Sequence, residues 1–180
     1  MCNKISAVLF LCVIIWKENI VEASTEGLTN NKLAVQSHPS LKLLTFGNSV
    51  YYIGHTFRGN WYAATLHCKS FNMDLVSIES KEENDFLFQS MKSVLGKSEG
   101  WTRLWTSGTS LPYNQWVWMA TGNPVVYTNW YPGEPNNQTH QEVCIEVKYS
   151  DTEKSLVWND IRWGVDILAL CEAKIDKPRL

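Results

Sequence analysis

Hydrophobic residues in the first half of the chain recur at helical spacing. One apolar face has a residue at every third or fourth position: Trp61, Ala64, Cys68 and Phe71. This spacing predicts an amphipathic helix with Asn60 as its N-cap. A second apolar face follows the same rule: Leu87, Met91, Val94 and Leu95. Here Ser80 and Glu83 predict a capping box at the start, and Gly96 predicts the end of the helix.

Short apolar runs bounded by turn residues predict strands before, between and after these helices. The predicted strands are residues 49–53, 75–78, 104–107, 116–119, 144–149, 156–158 and 167–171. Between Trp118 and Cys144, three prolines and two glycines predict a long irregular loop, and a loop of that length is usually functional. Two helices followed mainly by antiparallel strands indicate an α+β fold.

The N-terminal residues have the features of a signal peptide. Lys4 precedes an apolar run over residues 5–15, and Val21-Glu22-Ala23 is a small-residue cleavage site. Eleven apolar residues are too few to cross a bilayer, which takes about 20. A signal anchor is the alternative, but Glu18 closes the run early, so we expect an extracellular, secreted protein. The expected organisation is a signal peptide 1–23, a flexible lead-in 24–44, one domain 45–174 and a C-terminal tail 175–180.

Charge and cysteine content restrict the partners and the compartment. The formal net charge is −2 without a basic block, which argues against nucleic acid or an anionic membrane as a partner. Removal of the leader leaves three cysteines: Cys68, Cys144 and Cys171. In an oxidising compartment an odd count means one free thiol or one intermolecular bridge.

Oxygen-bearing side chains are concentrated near the C-terminal end. Three carboxylates and two amides lie within 27 positions: Glu134, Asn136, Glu142, Asn159 and Asp160. Three negative charges on one small site repel each other unless a cation lies between them. Oxygen ligands of this kind suit Ca²⁺, which takes about 6–8 of them. The sequence therefore predicts a calcium site.

An ordered set of motifs carries a resemblance to a known family. The set consists of Trp61 to Cys68, Leu75-Val76-Ser77-Ile78, Trp105, Trp118, Asn129-Trp130, Glu134-Pro135-Asn136, Glu142, Trp158-Asn159-Asp160 and Cys171-Glu172. From about Phe46 to Glu172 the chain resembles the C-type lectin-like domain, and its aromatic-rich middle is similar to small secreted insect lectins.

The resemblance implies a fold, a disulfide and a site. The fold brings the chain ends together and carries calcium on the long loop, with Cys68 bonded to Cys171. The implied calcium ligands are Glu134, Asn136, Glu142, Asn159 and Asp160, with the Asp160 carbonyl as a sixth oxygen. Pro135 is expected in a cis bond.

The same resemblance implies carbohydrate binding through the calcium ion. Two vicinal hydroxyls of a sugar would complete the calcium shell, donating to Glu134 or Glu142 and accepting from Asn136 or Asn159. In the family, Glu-Pro-Asn accompanies mannose, fucose and N-acetylglucosamine, so the expected partners are glycans on cell or microbial surfaces.

Four positions need separate treatment. Where the family has a second cysteine to pair with Cys144, this chain has Trp163. One interpretation is that Trp163 fills the space beside a buried Cys144 thiol, and the other is a homo-oligomer bridged through Cys144. Asn137 begins the only glycosylation sequon, beside the expected site. Because Asn137 and Val143 replace acids of an auxiliary site, one calcium ion per domain is expected.

Two other functions are compatible with the fold. A lectin-like domain that binds a protein or another surface without calcium is the first alternative. An enzyme is the second, since glycosidases use a pair of acidic residues and Glu134 and Glu142 could form such a pair. The spacing of the four histidines does not indicate a metal site, although His140 lies close enough in sequence to contact a ligand.

Overall fold

The structure is a computed structural model that describes residues 41–111 and 115–175. The predicted signal peptide, most of the lead-in and residues 176–180 of the tail lie outside these ranges. The elements in chain order are β1 (Leu43–Phe46), β2 (Ser49–Gly59), α1 (Trp61–Lys69), β3 (Asp74–Leu75), α2 (Lys81–Leu95), β4 (Thr102–Thr109), β5 (Val117–Trp118), β6 (Cys144–Ser150), β7 (Ser155–Ile161) and β8 (Ile167–Lys174). The predicted α+β class is confirmed, although β1 begins inside the segment expected to be a lead-in.

The strands form one eight-stranded sheet. Its order is β1-β2-β8-β4-β6-β7, with β3 beside β8 and β5 beside β4. β4 and β8 are parallel, so the expectation of antiparallel strands is wrong for this pair. β2 and β8 pair over most of their length, which brings the two ends of the domain together as the resemblance implies.

The first helix begins where the sequence predicts, because the Asn60 Oδ1 accepts a hydrogen bond of 3.0 Å from the backbone N–H of Ala63. Its buried face consists of Trp61, Ala64 and Cys68. The helix ends at Lys69, and Phe71 follows it in a turn with 36% of its surface exposed. The prediction that Phe71 belongs to the buried face is therefore wrong.

A disulfide links this helix to the sheet. Cys68 of α1 is bonded to Cys171 of β8, with a Cα–Cα distance of 5.4 Å and 103 positions between them in the sequence. The pairing that the resemblance implies is confirmed.

Only half of the predicted capping box forms at the second helix. The Ser80 hydroxyl accepts from the N–H of Glu83 at 3.1 Å, as predicted. The Glu83 carboxylate accepts instead from the N–H of Glu79 at 2.8 Å and from the Tyr51 hydroxyl at 2.7 Å. Because the Glu83 side chain bonds to Tyr51, it does not reach the backbone N–H of Ser80. The prediction of a complete capping box is therefore wrong.

Two hydrophobic clusters hold the sheet. The cluster that includes the buried residues of α2 contains Trp118 and Trp158. The cluster that includes the buried residues of α1 contains Cys144 and Cys171. Since Trp158 belongs to β7 and Cys144 to β6, both strands next to the long loop are anchored in these clusters.

Candidate functional site

The long loop is attached to β7 immediately before the Asn159-Asp160 pair. The backbone N–H of Tyr131 donates to the carbonyl of Trp158 at 2.8 Å, and the N–H of Trp158 donates to the carbonyl of Asn129 at 2.9 Å. These two bonds hold residues 129–131 alongside Trp158. They therefore bring the Glu134-Pro135-Asn136 triplet towards Asn159 and Asp160.

Trp158 anchors this contact between the loop and β7 in the hydrophobic core. Its indole N–H donates to the Asn84 Oδ1 at 3.0 Å, and the ring is completely buried. Trp118, Tyr127 and Trp130 each meet it edge-on, with centroid distances of 5.6, 5.5 and 5.8 Å. Because each of these aromatics comes from β5 or the loop after it, the loop is packed against β7 on several sides.

Asp160 connects β7 directly to the loop. Its carboxylate accepts from the backbone N–H of Asn136 at 3.1 Å and from that of Asn137 at 2.7 Å. Asp160 is only 2% exposed, so these bonds to a charged acceptor lie in a poorly solvated place. Hydrogen bonds of this kind are stronger than neutral ones.

Asn137 holds the second half of the loop. Its Oδ1 accepts from the N–H of Glu142 at 3.0 Å, and its carbonyl accepts from the N–H of His140 at 2.8 Å. Asn137 and His140 both have positive φ angles, 44° and 57°, and asparagine adopts this region more readily than most residues. The turn brings the backbone N–H of Glu142 to the side chain of Asn137, the residue that follows Asn136.

Glu134 has an acceptor oxygen that nothing in the described structure satisfies. Its peptide bond to Pro135 is cis, as expected. Although the side chain as a whole is only partly buried, its Oε2 is covered and accepts no hydrogen bond. Loss of solvent and the nearby carboxylates of Asp160 and Glu142 raise the pKa of Glu134. This orphan oxygen among like charges is the arrangement that a bound cation would relieve.

Asn159 is oriented by a buried ion pair that the sequence analysis did not assign. The Asn159 amide N–H donates to the Glu146 Oε1 at 3.0 Å. Arg103 holds the same carboxylate with two bonds, Nε to Oε2 at 2.6 Å and Nη2 to Oε1 at 3.0 Å. Glu146 is 1% exposed, and burial raises its pKa against the opposing effect of Arg103. The signal that could have found it is Glu146 itself, a carboxylate two positions after the buried Cys144 in β6.

The five expected ligands therefore differ in how closely they are connected. Hydrogen bonds or electrostatic effects link Glu134, Asn136, Glu142 and Asp160, whereas Asn159 contacts the group through the Asp160 carbonyl, to which its amide donates at 2.6 Å. Within residues 41–111 and 115–175, no three His, Cys, Asp or Glu side chains are grouped so as to hold a metal ion. A calcium site here depends on amide and carbonyl oxygens as well as on carboxylates.

Cys144 and Trp163 stand where the family has its second disulfide, and only Cys144 agrees with the interpretation of a buried thiol covered by Trp163. Cys144 is a free thiol with no exposed surface, and burial raises its pKa to about 12. This agrees with the buried-thiol interpretation, whereas a bridge to another chain would require the Cys144 sulfur to become exposed. Trp163 does not fill the space, since it is 47% exposed and packs edge-on against Tyr62.

Comparison with known proteins decides the family. A family model described as the lectin C-type domain matches residues 58–173, more than half of the chain. The chain belongs to the C-type lectin family. Lectin subunit alpha of Sarcophaga peregrina is 31% identical over 128 residues, which cover 68% of this chain and 44% of that protein. E-selectin of Oryctolagus cuniculus is 36% identical over 110 residues, or 60% of this chain and 19% of that protein.

A solved structure gives the same result for the fold of this C-type lectin. The carbohydrate-recognition domain of cow CD23, determined in the presence of a GlcNAc2Man3 oligosaccharide, has a TM-score of 0.62 and 27% identity, and the match covers 78% of this chain and 98% of that one. The chain spans less than half the length of the two curated relatives above. The C-type lectin family is non-enzymatic, which argues against the glycosidase alternative.

Neither helix in the described ranges has the length and apolar character needed to span a membrane.

Proposed function

We propose that this C-type lectin binds mannose-type sugars through one Ca²⁺ held by Glu134, Asn136, Glu142, Asn159 and Asp160. The observation that carries the proposal is the unsatisfied Oε2 of Glu134 beside the carboxylates of Asp160 and Glu142. Five side chains and the Asp160 carbonyl supply six oxygens, within the range that Ca²⁺ prefers. When bound, the ion would supply a positive centre on which two sugar hydroxyl oxygens complete the shell.

Two of the proposed ligands, Asn159 and Asn136, already take part in hydrogen bonds that the calcium site has to accommodate. The Asp160 carbonyl now accepts from the Asn159 amide, so that bond has to be exchanged for the ion. The Asn159 Nδ2 donates to both Glu146 and the Asp160 carbonyl, so its Oδ1 is the atom left for the metal. Donation to a sugar hydroxyl would replace the bond to the Asp160 carbonyl and keep the bond to Glu146. The Asn136 Oδ1, which accepts from the N–H of Gln138 at 2.8 Å, has a second lone pair for the metal.

The preference for mannose, fucose or N-acetylglucosamine follows from the order of the triplet. Glu134 and Glu142 would accept from two vicinal hydroxyls, while Asn136 and Asn159 would donate to them. The cow CD23 domain with 27% identity was determined with a mannose-containing oligosaccharide, which supports this class. A contact limited to two hydroxyls buries few atoms, so we expect millimolar affinity for a monosaccharide, about −4 kcal/mol.

A second candidate function has an observation of its own. The Asp160 carboxylate accepts from two backbone N–H groups of the loop, so the protein's own hydrogen bonds hold part of the loop. This favours the alternative, a calcium-independent lectin-like domain that binds a protein or another surface.

A glycan array with and without EDTA separates the two candidates. We expect binding to mannose-, fucose- or N-acetylglucosamine-terminated glycans in Ca²⁺ and its loss in EDTA. Glu134→Gln removes one charge at the site and should abolish binding, whereas Glu82→Gln, on the exposed surface of α2, should leave it unchanged. Binding that survives EDTA and Glu134→Gln would exclude the calcium-dependent function. Calorimetric titration should give one calcium ion per domain.

The setting that we propose is extracellular, with glycans of cell or microbial surfaces as partners and no nucleic acid or membrane insertion. The Cys68–Cys171 disulfide supports an oxidising compartment. Asn137 remains a proposed glycosylation site, because its side chain is exposed and only its Oδ1 is used in the loop. Since single sites of this kind bind weakly, several domains presented together, for instance in a homo-oligomer, would raise the avidity.

A further inference from the structure

A groove of about 300 Å³ lies beside the proposed calcium site, and none of its side chains is a proposed calcium ligand. It is lined by Trp101, Tyr131, Pro132, Glu153, Ser155 and Val157. At one end the carbonyl of Tyr131 accepts from the N–H of Glu134 at 2.9 Å. A single turn of the chain therefore connects the groove to the first proposed calcium ligand.

The strand register gives the distance between the two sites. Ser155, Val157 and Asn159 alternate along β7 and so project from the same face of the sheet. With a rise of about 3.3 Å per residue, Val157 lies about 7 Å and Ser155 about 13 Å from Asn159 along the strand. The groove is thus within reach of a short oligosaccharide that begins at the calcium site.

Two aromatic rings form the apolar side of the groove. Trp101 and Tyr131 meet edge-on at 81°, with their centroids 5.9 Å apart. The Lys148 ammonium lies over both rings, 5.0 Å from the Trp101 centroid and 4.9 Å from the Tyr131 centroid. In the part of the chain that the structure describes, no carboxylate lies within ion-pair distance of Lys148. The cation is therefore held by the rings, and it stabilises their orientation before any ligand arrives.

The polar side of the groove restricts the ligand further. Ser155 offers a hydroxyl, and Glu153, an exposed carboxylate, is the charged member of the lining. A neutral sugar ring has apolar C–H faces for the aromatics and hydroxyls that can donate to Glu153. We propose that this groove binds a second, neutral sugar unit of an oligosaccharide whose first unit occupies the calcium site. The inference rests on the proposed function and specifies its ligand as a chain of neutral sugars.

Calorimetry with two defined probes tests the groove separately from the calcium site. In Ca²⁺, linear α-linked mannotriose should bind the wild type about tenfold more tightly than methyl α-mannoside, the gain expected from one good aromatic contact. Trp101→Ala should abolish that preference while the affinity for methyl α-mannoside stays the same. Tyr131→Ala is a second variant with the same expected result. Tyr131→Phe keeps the ring and should retain the preference, as should Leu66→Ala, an exposed change on α1.

Each outcome decides one question. If methyl α-mannoside does not bind in Ca²⁺, the proposed function fails and the inference fails with it. If it binds and mannotriose binds no more tightly, or if Trp101→Ala and Tyr131→Ala keep the tenfold preference, the groove is not a subsite and the calcium site stands. A loss of preference with unchanged mannoside affinity supports the subsite.

Discussion

The carboxylate of Asp160 accepts the backbone N–H of Asn137 at 2.7 Å, across 23 positions of sequence. This bond, with its neighbour from Asn136, joins the last strand of the site to the loop that carries its first half. One side chain therefore has two roles: it holds the loop without metal, and in the proposed function it also binds the ion.

Replacement of Asp160 by asparagine should affect both roles. An amide has one acceptor oxygen, and its N–H₂ would face the second backbone N–H. We expect a loss of about 1–3 kcal/mol in the free energy of unfolding and no rise in melting temperature on adding Ca²⁺. Differential scanning fluorimetry with Ca²⁺ or EDTA measures both. Asp85→Asn on α2, whose carboxylate pairs with Lys81 on the exposed surface, is the control; a calcium-induced rise retained by Asp160→Asn would contradict the ligand assignment.

Arg103→Met should destabilise the domain and weaken sugar binding together. The variant leaves Glu146 buried without its cation and so loosens the carboxylate that accepts from the Asn159 amide. Since the Arg103 side chain is 36% exposed, we expect a moderate loss of about 1–3 kcal/mol. Urea denaturation and calorimetry with methyl α-mannoside are the measurements. Arg103→Lys keeps the charge without the two-bond geometry, so its stability should lie between those of the wild type and Arg103→Met. An unchanged urea midpoint in Arg103→Met would show that the stability of the domain does not depend on the Arg103–Glu146 pair.

Glu83 should make stability depend on pH. Burial raises its pKa, although hydrogen bonds from Tyr51 and the Glu79 N–H oppose this. A carboxyl with a raised pKa in the folded state favours folding most below its unfolded value, about 4.3, and that contribution is lost as the pH rises through the folded value. The wild type should therefore lose stability relative to Glu83→Gln as the pH increases from about 4.3. Denaturant titrations between pH 4 and 8 test this, with Glu82→Gln as the exposed neighbour; a constant difference would contradict it.

The Cys144 thiol should resist alkylation in the native protein. Complete burial and a pKa of about 12 leave almost no accessible thiolate at pH 8. Mass spectrometry of peptides after iodoacetamide treatment should find Cys144 unmodified in the native state and modified in guanidinium. A disulfide-linked dimer on a non-reducing gel that disappears in Cys144→Ser would overturn the buried-thiol interpretation.

Local rules predicted the parts of the fold that depend on local chemistry. Asn60 and Ser80 are found as caps because a short polar side chain satisfies a free N–H at each helix start. The disulfide and the cis bond before Pro135 came from the resemblance. Phe71 and Glu83 were assigned wrongly, since a turn removes Phe71 from the helix and a tertiary partner, Tyr51, draws Glu83 away from its cap.

The connections within the site depended on pairing between distant strands. Glu146 and Asn159 face each other across the hairpin of β6 and β7. Arg103 lies on β4 and reaches Glu146 only because β4 and β6 are neighbours in the sheet, so no local pattern joins it to them. The sequence showed the oxygen atoms near the site but not the buried pair that orients one of them.

Trp163 gives the strand that bears Asp160 a different kind of anchor. Its carbonyl accepts the N–H of Trp61, the first residue of α1, at 2.9 Å, and its ring meets Tyr62 edge-on. A backbone bond and an aromatic contact cannot undergo thiol exchange. Reducing agents therefore have no direct means of releasing this end of the proposed sugar-binding region, and its attachment should respond to heat and denaturant rather than to redox potential.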